Sequence, residues 1–435
     1  MNIRKLALEL LNRTMKSEQY SNIAVDHAIK TNALDEKDSA FLCVLVYGVI
    51  ERKLTLDYII DKLSSLPPSK IELSTRNALR MGLYQLIYLD KIPVHAAINE
   101  CVELCGKRSR SFANAILRNY LRKKDEIKFP DREGSPIEYL SVTYSFPVAI
   151  CRRFCEIFGF EKCERILSSF CGEGGMTLRV NTLKNSRDEL LEALLEKGIE
   201  ASPAPLSPCG IKVNHTSAAA VGINDGLCFV QDEASQLCVL ALGAQKGDRV
   251  LDICACPGSK SFGAAIEMEN EGEIHAFDLH ENKLSLVESG ADRLGISIIS
   301  TKAQDGRCFD QSLEGYADRI ICDVPCSGFG VMAKKPEIRY KDPEASSGLP
   351  QIQYDILCNS SRYLKEGGTL VYSTCTLLPE ENEKNVEKFV AEHKNFKLCD
   401  FNIGSIKSEG GMLTLNPYDH GTDGFFISVI RKEKQ

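Results

Sequence analysis

The chain has 435 residues, with 53 Lys and Arg against 60 Asp and Glu and a formal net charge of −7. That length allows two or three domains, each burying its own core, and no apolar run approaches the length of a membrane-spanning helix. Eighteen cysteines spread over so long a chain, with no export signal, read as reduced thiols and exclude a disulfide framework.

The opening "MNIRKLALELLNRTMK" predicts an amphipathic helix with Ile3, Leu6 and Leu10 along one face. It lacks the long apolar stretch of a signal peptide, so a cytoplasmic location is expected. Apolar residues recur at helical spacing from here to about residue 128, in "AFLCVLVYGVIERKLTLDYIIDKL" and "RNALRMGLYQLIYLD". Prolines in "LPPSK" and "KIPVHAAINE" stop or start those helices. A helical domain over 1–130 is expected. Its charge departs from the chain's average: these 130 residues carry 21 Lys and Arg against 15 Asp and Glu, and the remainder 32 against 45. The basic density peaks in 106–124, where Arg118 and Arg122 stand one helical turn apart, an arrangement that suits phosphates. The pairs Cys101/Cys105 and Cys151/Cys155 have a helix-face spacing that reads as core thiols; no C-x-x-C or nearby histidine supports a metal, and none is expected.

After the linker-like "KFPDREGSP" (128–136) comes a mixed segment. "MTLRVNTLK" predicts a strand, "SRDELLEALLEKGIE" a capped helix, and "GLCFVQDEASQLCVLALGA" a strand leading into a helix, giving a small α+β module over 137–235. From about 246 the rhythm is strand, loop, helix, repeated: "DRVLDICA", "GEIHAFDL", "ISIISTK", "ADRIICDVP", "GGTLVYSTC" and "GFFISVIRK". Such alternation predicts a largely parallel, Rossmann-like α/β sheet over 236–435, with ligands at the carboxyl ends of its strands.

The first of those ends reads "LDICACPGSKS": Asp252 closes an apolar run and the turn Pro257, Gly258, Ser259 opens a helix. Asp278 ends the next strand, 26 residues on, near the spacing at which an acid takes up ribose hydroxyls. Asp305 follows the third and is placed to meet an adenine edge. A nucleoside is implied, yet the pyrophosphate fingerprint G-x-G-x-x-G is absent. That favours S-adenosylmethionine over a nicotinamide dinucleotide.

Two thiols stand at the next two strand ends, Cys326 in "DVPCSG" and Cys375 in "YSTCT". Cys322, inside an apolar strand, is by contrast a core thiol. A thiol beside a methyl donor suits methylation of an unactivated aromatic carbon such as carbon 5 of a pyrimidine, because sulfur addition at carbon 6 makes carbon 5 nucleophilic. A free thiol is only about 3% ionised at pH 7, a deficit of roughly 2 kcal/mol, which a cation such as Lys260 would offset. Asp323 is expected to hydrogen-bond the base edge.

These motifs, with "LRVNTLK", "FVQDEASQL" and "PEENE", give the chain a resemblance to the bacterial 16S rRNA cytosine-5 methyltransferase B (RsmB/Sun) family of the NOL1/NOP2/Sun superfamily. The resemblance spans nearly the whole chain and implies a helical N-terminal domain like the antitermination factor NusB, a small α+β middle module that binds RNA, and a class I methyltransferase domain. It implies Cys375 as nucleophile and Cys326 in product release; Asp323 and Lys260, read above from their places in the turns, complete the expected catalytic set. It implies cofactor contacts from Cys254, Ala255, Cys256, Pro257, Gly258, Ser259 and Lys260, and from Asp278, Asp305 and Asp323. The implied substrate is a cytosine of 16S rRNA in an unassembled or partly assembled small subunit, acted on by a monomer away from any membrane. A tRNA cytosine-5 methyltransferase and a non-catalytic RNA-binding ribosome-assembly factor are the alternatives. The family's loop commonly reads close to "CAAPGGKT"; here Cys256 and Ser259 replace Ala and Gly, and a positive φ at residue 259 would cost on the order of 1 kcal/mol.

Overall fold

The computed structural model describes residues 2–16, 21–172, 175–214 and 218–434. They form two compact units: one comprises residues 1–172 with 332–343, the other residues 173–331 with 344–435.

The first unit is helical. Ile3–Thr14, Glu36–Glu51, Lys53–Leu63, Leu73–Tyr88, Val94–Leu104 and Arg110–Lys123 pack around Leu11, Leu45, Val49, Leu79 and Leu117, all of them buried. The Asn2 and Asp35 side chains cap the first two of these helices by accepting backbone N–H groups that a first turn leaves unpaired. The long pattern around residue 52 splits there into two helices, and Asp57 on the second receives Arg76 at 2.7 Å and Arg80 at 2.6 Å. Helices continue beyond residue 130 as Pro136–Tyr144, Val148–Phe158 and Phe160–Ser169. Arg118 and Arg122 are exposed on Arg110–Lys123. Cys101 and Cys151 are buried, and among the described residues no three His, Cys, Asp or Glu side chains group as a metal set. No helix of the described residues is long and apolar enough to cross a membrane.

Segment 332–343 completes this unit. Arg339 is fully buried; its guanidinium lies 4.3 Å over the Phe146 ring and donates to the carbonyls of Glu51 and Met332 at 3.0 and 3.1 Å. Tyr340 donates to the carbonyl of Ile50 at 2.6 Å and Ser21 Oγ to Glu337 at 2.8 Å. Carbonyl groups left over at helix ends are the natural partners for a buried guanidinium.

The second unit begins with a four-stranded antiparallel sheet: β1 (Met176–Val180), β2 (Ala201–Pro203), β3 (Gly210–Val213) and β4 (Cys228–Val230), in the order β2-β3-β1-β4. Helix Arg187–Glu196, opened by a reciprocal Ser186/Glu189 capping box, buries Leu190 and Leu194 against Leu178, Val180 and Ile211. Helix Glu233–Leu242 leads into the larger sheet.

That sheet is built from β5 (Arg249–Asp252), β6 (Glu273–Asp278), β7 (Ile299–Ala303), β8 (Ala317–Asp323) and β9 (Leu364–Thr374), joined by β10 (Phe396–Leu398) and, beyond a small hairpin of β11 (Asn402–Ile403) and β12 (Ile406–Lys407), by β13 (Met412–Leu415) and β14 (Phe425–Lys432). The order is β10-β14-β9-β8-β5-β6-β7, with β13 also paired to β14. The five strands β5 to β9 are parallel, and β14 runs antiparallel to β9. Successive residues of β5 point to opposite faces: Val250 joins Leu237, Ala264 and Val287 on one, Leu251 joins Ile356, Val386 and Phe389 on the other. Both faces being covered is why these strands read as unbroken apolar runs. The expected Rossmann-like sheet is therefore present, with an antiparallel edge, and the reversal of strand order between β5 and β8 opens a crevice at their carboxyl ends.

Candidate active site

Every chemistry-bearing residue predicted from the last 200 residues lies at the carboxyl end of β5, β6, β7, β8 or β9, in the turn that follows, or in the first turn of the next helix. The β5 turn is pinned by its backbone: Ala255 N donates to Phe277 O and Gly258 N to Ala255 O, both at 2.7 Å. Gly258 has a φ of +106°, and a Cβ there would lie 2.5 Å from the Phe262 ring, so the chain passes this point only as glycine. Ser259 is instead the first residue of helix Ser259–Glu267 and lies outside the positive-φ region. The strain expected at residue 259 does not arise, because the left-handed residue is its neighbour. Cys254 is turned into the core with its thiol raised by burial, and it offers the site only its backbone.

Asp278 faces this turn, accepting from Cys256 N at 3.3 Å and from His280 N at 2.9 Å. Asp305, on the turn after β7, is held by Arg307 at 2.6 Å, and this pairing keeps its carboxyl below the usual range. Beside it, Gln304 has a buried amide oxygen with no hydrogen-bond partner, although its N–H donates to Asp278 O at 2.9 Å. A glycine turn, carboxylates at the next two strand ends and an unsatisfied acceptor suit a ribose and a base edge without a pyrophosphate. These residues fit S-adenosylmethionine.

Asp252 ends β5 fully buried. Loss of solvent pushes its carboxyl up to about 7, and the Ser261 hydroxyl, donating at 2.6 Å, limits the rise. Lys260 projects from the first turn of the next helix to Asp323 at the end of β8, with Nζ 2.6 Å from Oδ2. Burial pulls the Lys260 ammonium down, and the facing Asp323 charge more than reverses this, so the lysine stays charged. Its hydrogen-bond partner is the carboxylate, not a thiol as the sequence suggested. Ser373 Oγ donates to the other Asp323 oxygen at 2.7 Å, so the carboxylate is gripped at both ends.

Strands β8 and β9 are adjacent and parallel, with Asp323 opposite Ser373. The residues just beyond them are consequently neighbours: Cys326 Sγ and Cys375 Sγ lie 3.1 Å apart, both half-buried and neither in a disulfide. The Cys326 thiol is raised, first by its hydrogen bond with Cys375, then by burial and by the charges of Glu381 and Asp323. Cys322, one residue before Asp323, is wholly buried in the sheet. Three residues that sequence reading did not single out, Ser373, Glu381 and Asn382, also touch this group. The "PEEN" stretch carried the signal for the last two, but it reads equally as the start of a helix.

Residues 239–431 match the family described as 16S rRNA methyltransferase RsmB/F, residues 1–122 the NusB family, and residues 146–220 a ferredoxin-like domain of RsmF/B-like methyltransferases. A protein of Bacillus subtilis (strain 168) named "Probable ribosomal RNA small subunit methyltransferase B" is 36% identical, the alignment covering 99% of each chain. A protein of Escherichia coli O1:K1 / APEC named "Ribosomal RNA small subunit methyltransferase B" is 32% identical, again over 99% of each. Among solved structures, the crystal structure of PH0851 superposes with a TM-score of 0.81 at 26% identity, covering 99% of both chains.

Proposed function

This chain belongs to the ribosomal RNA small subunit methyltransferase B family, and from that footing we propose that it methylates carbon 5 of a cytosine in 16S rRNA through a covalent adduct on Cys375. Its methyl donor is S-adenosylmethionine, which supplies an electrophilic methyl group to the activated ring. The turn from Cys254 to Lys260 and the carboxylates of Asp278 and Asp305 would hold that donor, with Asp323 between it and the base.

The observation that carries the reading is the thiol pair, 3.1 Å apart beside a charged Lys260–Asp323 couple. Either thiol of the pair can donate to the other; with Cys326, whose thiol is raised, as the donor, the hydrogen bond would favour a thiolate on Cys375. That thiolate forms a bond to carbon 6, and the displaced ring electrons make carbon 5 the nucleophile. Asp323, fixed by Lys260 and Ser373, is positioned for the amino edge of the base. After methylation the carbon 5 proton passes to solvent water, the carbon 5–hydrogen electrons restore the double bond between carbons 5 and 6, and the sulfur–carbon 6 bond breaks with its electron pair returning to the Cys375 sulfur. The departing sulfur is the acceptor of the Cys326 hydrogen bond, which stabilises it as it leaves. The target base must be unstacked to reach sulfur, consistent with a single-stranded or flipped nucleotide.

The test uses protein-free small-subunit rRNA and labelled S-adenosylmethionine. Cys375→Ala should abolish both methylation and any covalent RNA complex, and Cys326→Ala should accumulate a complex that survives denaturing gels. Near-normal turnover by Cys375→Ala refutes the assignment of the nucleophile; free protein alone from Cys326→Ala refutes the release role.

A further inference from the structure

Two adjacent residues in "PEEN", Glu381 and Asn382, are buried, and each reaches a different thiol turn. One Glu381 oxygen accepts from Ser327 N at 3.0 Å and from Gln353 Nε2 at 2.7 Å. The same Gln353 nitrogen donates to Pro325 O at 2.9 Å. The peptide groups on both sides of Cys326 are thus held by one carboxylate and one amide. Asn382 does the equivalent for Cys375: its Oδ1 accepts from Thr374 Oγ1 at 2.5 Å and its Nδ2 donates to Thr376 O at 3.0 Å. The remaining Glu381 oxygen is buried without a hydrogen-bond partner. A buried carboxylate satisfied at only one oxygen costs stability that a well-packed apolar side chain would not, so its presence calls for a reason beyond packing.

Building on the two-thiol reading above, we infer that Glu381 and Asn382 are positioning residues that act on separate steps, Glu381 setting Cys326 for product release and Asn382 setting Cys375 for attack. The division follows from the contacts. Among the described hydrogen bonds, the Glu381 side chain accepts only from Ser327 and Gln353, and the Asn382 side chain bonds only to residues flanking Cys375. Loosening the Ser327 end acts first on Cys326 and reaches the Cys375 turn only through the Ser327 Oγ–Thr376 Oγ1 hydrogen bond of 2.8 Å, so it should move the releasing thiol more than the attacking one. Loosening Thr374 and Thr376 moves the attacking sulfur itself.

The experiment uses the full chain with S-adenosylmethionine and protein-free small-subunit rRNA, following formation and decay of the denaturant-resistant covalent complex. Glu381→Ala should form the complex at close to the wild-type rate and release it about 10- to 100-fold more slowly, the equivalent of one hydrogen bond to a charged group. Glu381→Gln, which keeps an acceptor for Ser327 N, should recover most of that loss. Asn382→Ala should form the complex about 10- to 100-fold more slowly with no accumulation, and Asn382→Asp, retaining the acceptor for Thr374, should fall between. A merely structural role would slow both steps together and would show no rescue by Gln. Gln353→Leu gives an independent arm: it removes the donor to Pro325 and should also slow release. Equal loss in formation and decay for the Glu381 and Gln353 variants, or fast release from both, overturns the division. Cys326→Ala run in parallel separates the two failures: if it accumulates complex and the Glu381 and Gln353 variants do not, this inference falls and the two-thiol reading stands. If Cys326→Ala accumulates none, the reading itself is refuted.

Discussion

Replacing Gly330 by alanine is the sharpest test of how the fold holds the nucleophile. Gly330 N donates to the carbonyl of Cys375 at 2.9 Å, and Gly424 N donates to Gly330 O at 2.8 Å. The main chain of the Cys326 loop is thereby hydrogen-bonded to the nucleophile's own peptide. An added Cβ would lie 1.8 Å from Gly424 O, 2.5 Å from Gly424 C and 2.9 Å from Cys375 O, all backbone atoms that have no rotamer to escape into. Reaching ordinary contact requires a separation of roughly 1.5 Å, beyond what packed backbone absorbs without repositioning. Displacing a reacting group by about 1 Å costs on the order of 100-fold in rate, and overpacking costs about 1–3 kcal/mol in stability. Gly330→Ala should therefore lose about 100-fold in single-turnover methylation while still binding S-adenosylmethionine, measured by calorimetry. Gly424→Ala provides the scale: its Cβ would meet Gly330 Cα at 2.8 Å and otherwise the Leu377 side chain at 2.9 Å, so its loss should be several-fold smaller. Methylation by Gly330→Ala within threefold of wild type would refute the claim that this contact orients Cys375.

Three further outcomes are expected. Lys260→Met removes the counter-ion of Asp323 where the two side chains are only 10% and 28% exposed, so urea unfolding should show a loss of about 3 kcal/mol; a loss below 1 kcal/mol would mean that solvent reaches the carboxylate freely. Asp252 is protonated up to about pH 7 in the folded chain but ionises near 4 when unfolded, so the folded state binds the extra proton between those values and stability falls as pH rises through that window. Asp252→Asn should remove this slope and gain on the order of 4 kcal/mol over wild type at pH 8 relative to pH 4, and an unchanged slope would place the titration elsewhere. Arg179, fully buried, donates to Glu267 at 2.8 Å from β1 and so ties the smaller sheet to the helix that begins at Ser259; Arg179→Met should raise KM for S-adenosylmethionine about tenfold with a smaller change in kcat, and an unaltered KM would show that the helix holds its place without it.

How much of this was readable in advance depended on whether the signal is local. β5, β8 and β9 are covered on both faces, so each appears as an apolar run, and the residue that ends the run marks a strand end. That is why Asp252, Asp278, Cys326 and Cys375 were legible. Segment 332–343 was not, because "MAKKPEIRYKDP" has the composition of a polar loop. What makes Arg339 a core residue is a ring and several carbonyls contributed from residues far away in sequence. Lys260 was found by its place in the turn, yet its partner was not, since the carboxylate it meets stands at the end of another strand, 63 residues on. Glu381 and Asn382 were hidden by their neighbours, as acidic and amide residues before a helix carry a ready local explanation.

The register of β8 on β9 decides whether the site exists. Asp323 faces Ser373, and the pairing continues past the last strand residues: Val324 N donates to Ser373 O at 3.1 Å, and Gly330 N to Cys375 O. The strand ladder thus passes into the turns without a break, and Asp323, Cys326 and Cys375 are positioned by the same backbone pairing that holds the sheet. Slipping β9 by one residue would exchange the faces of Tyr372 and Ser373, carrying the serine that grips Asp323 away from it and turning Cys375 away from Cys326. The apolar faces of both strands oppose such a slip, since it would also expose Val371 and Leu370 to the wrong layers. The register of two strands packed between two apolar layers therefore sets the distance between two sulfur atoms 49 residues apart in the chain.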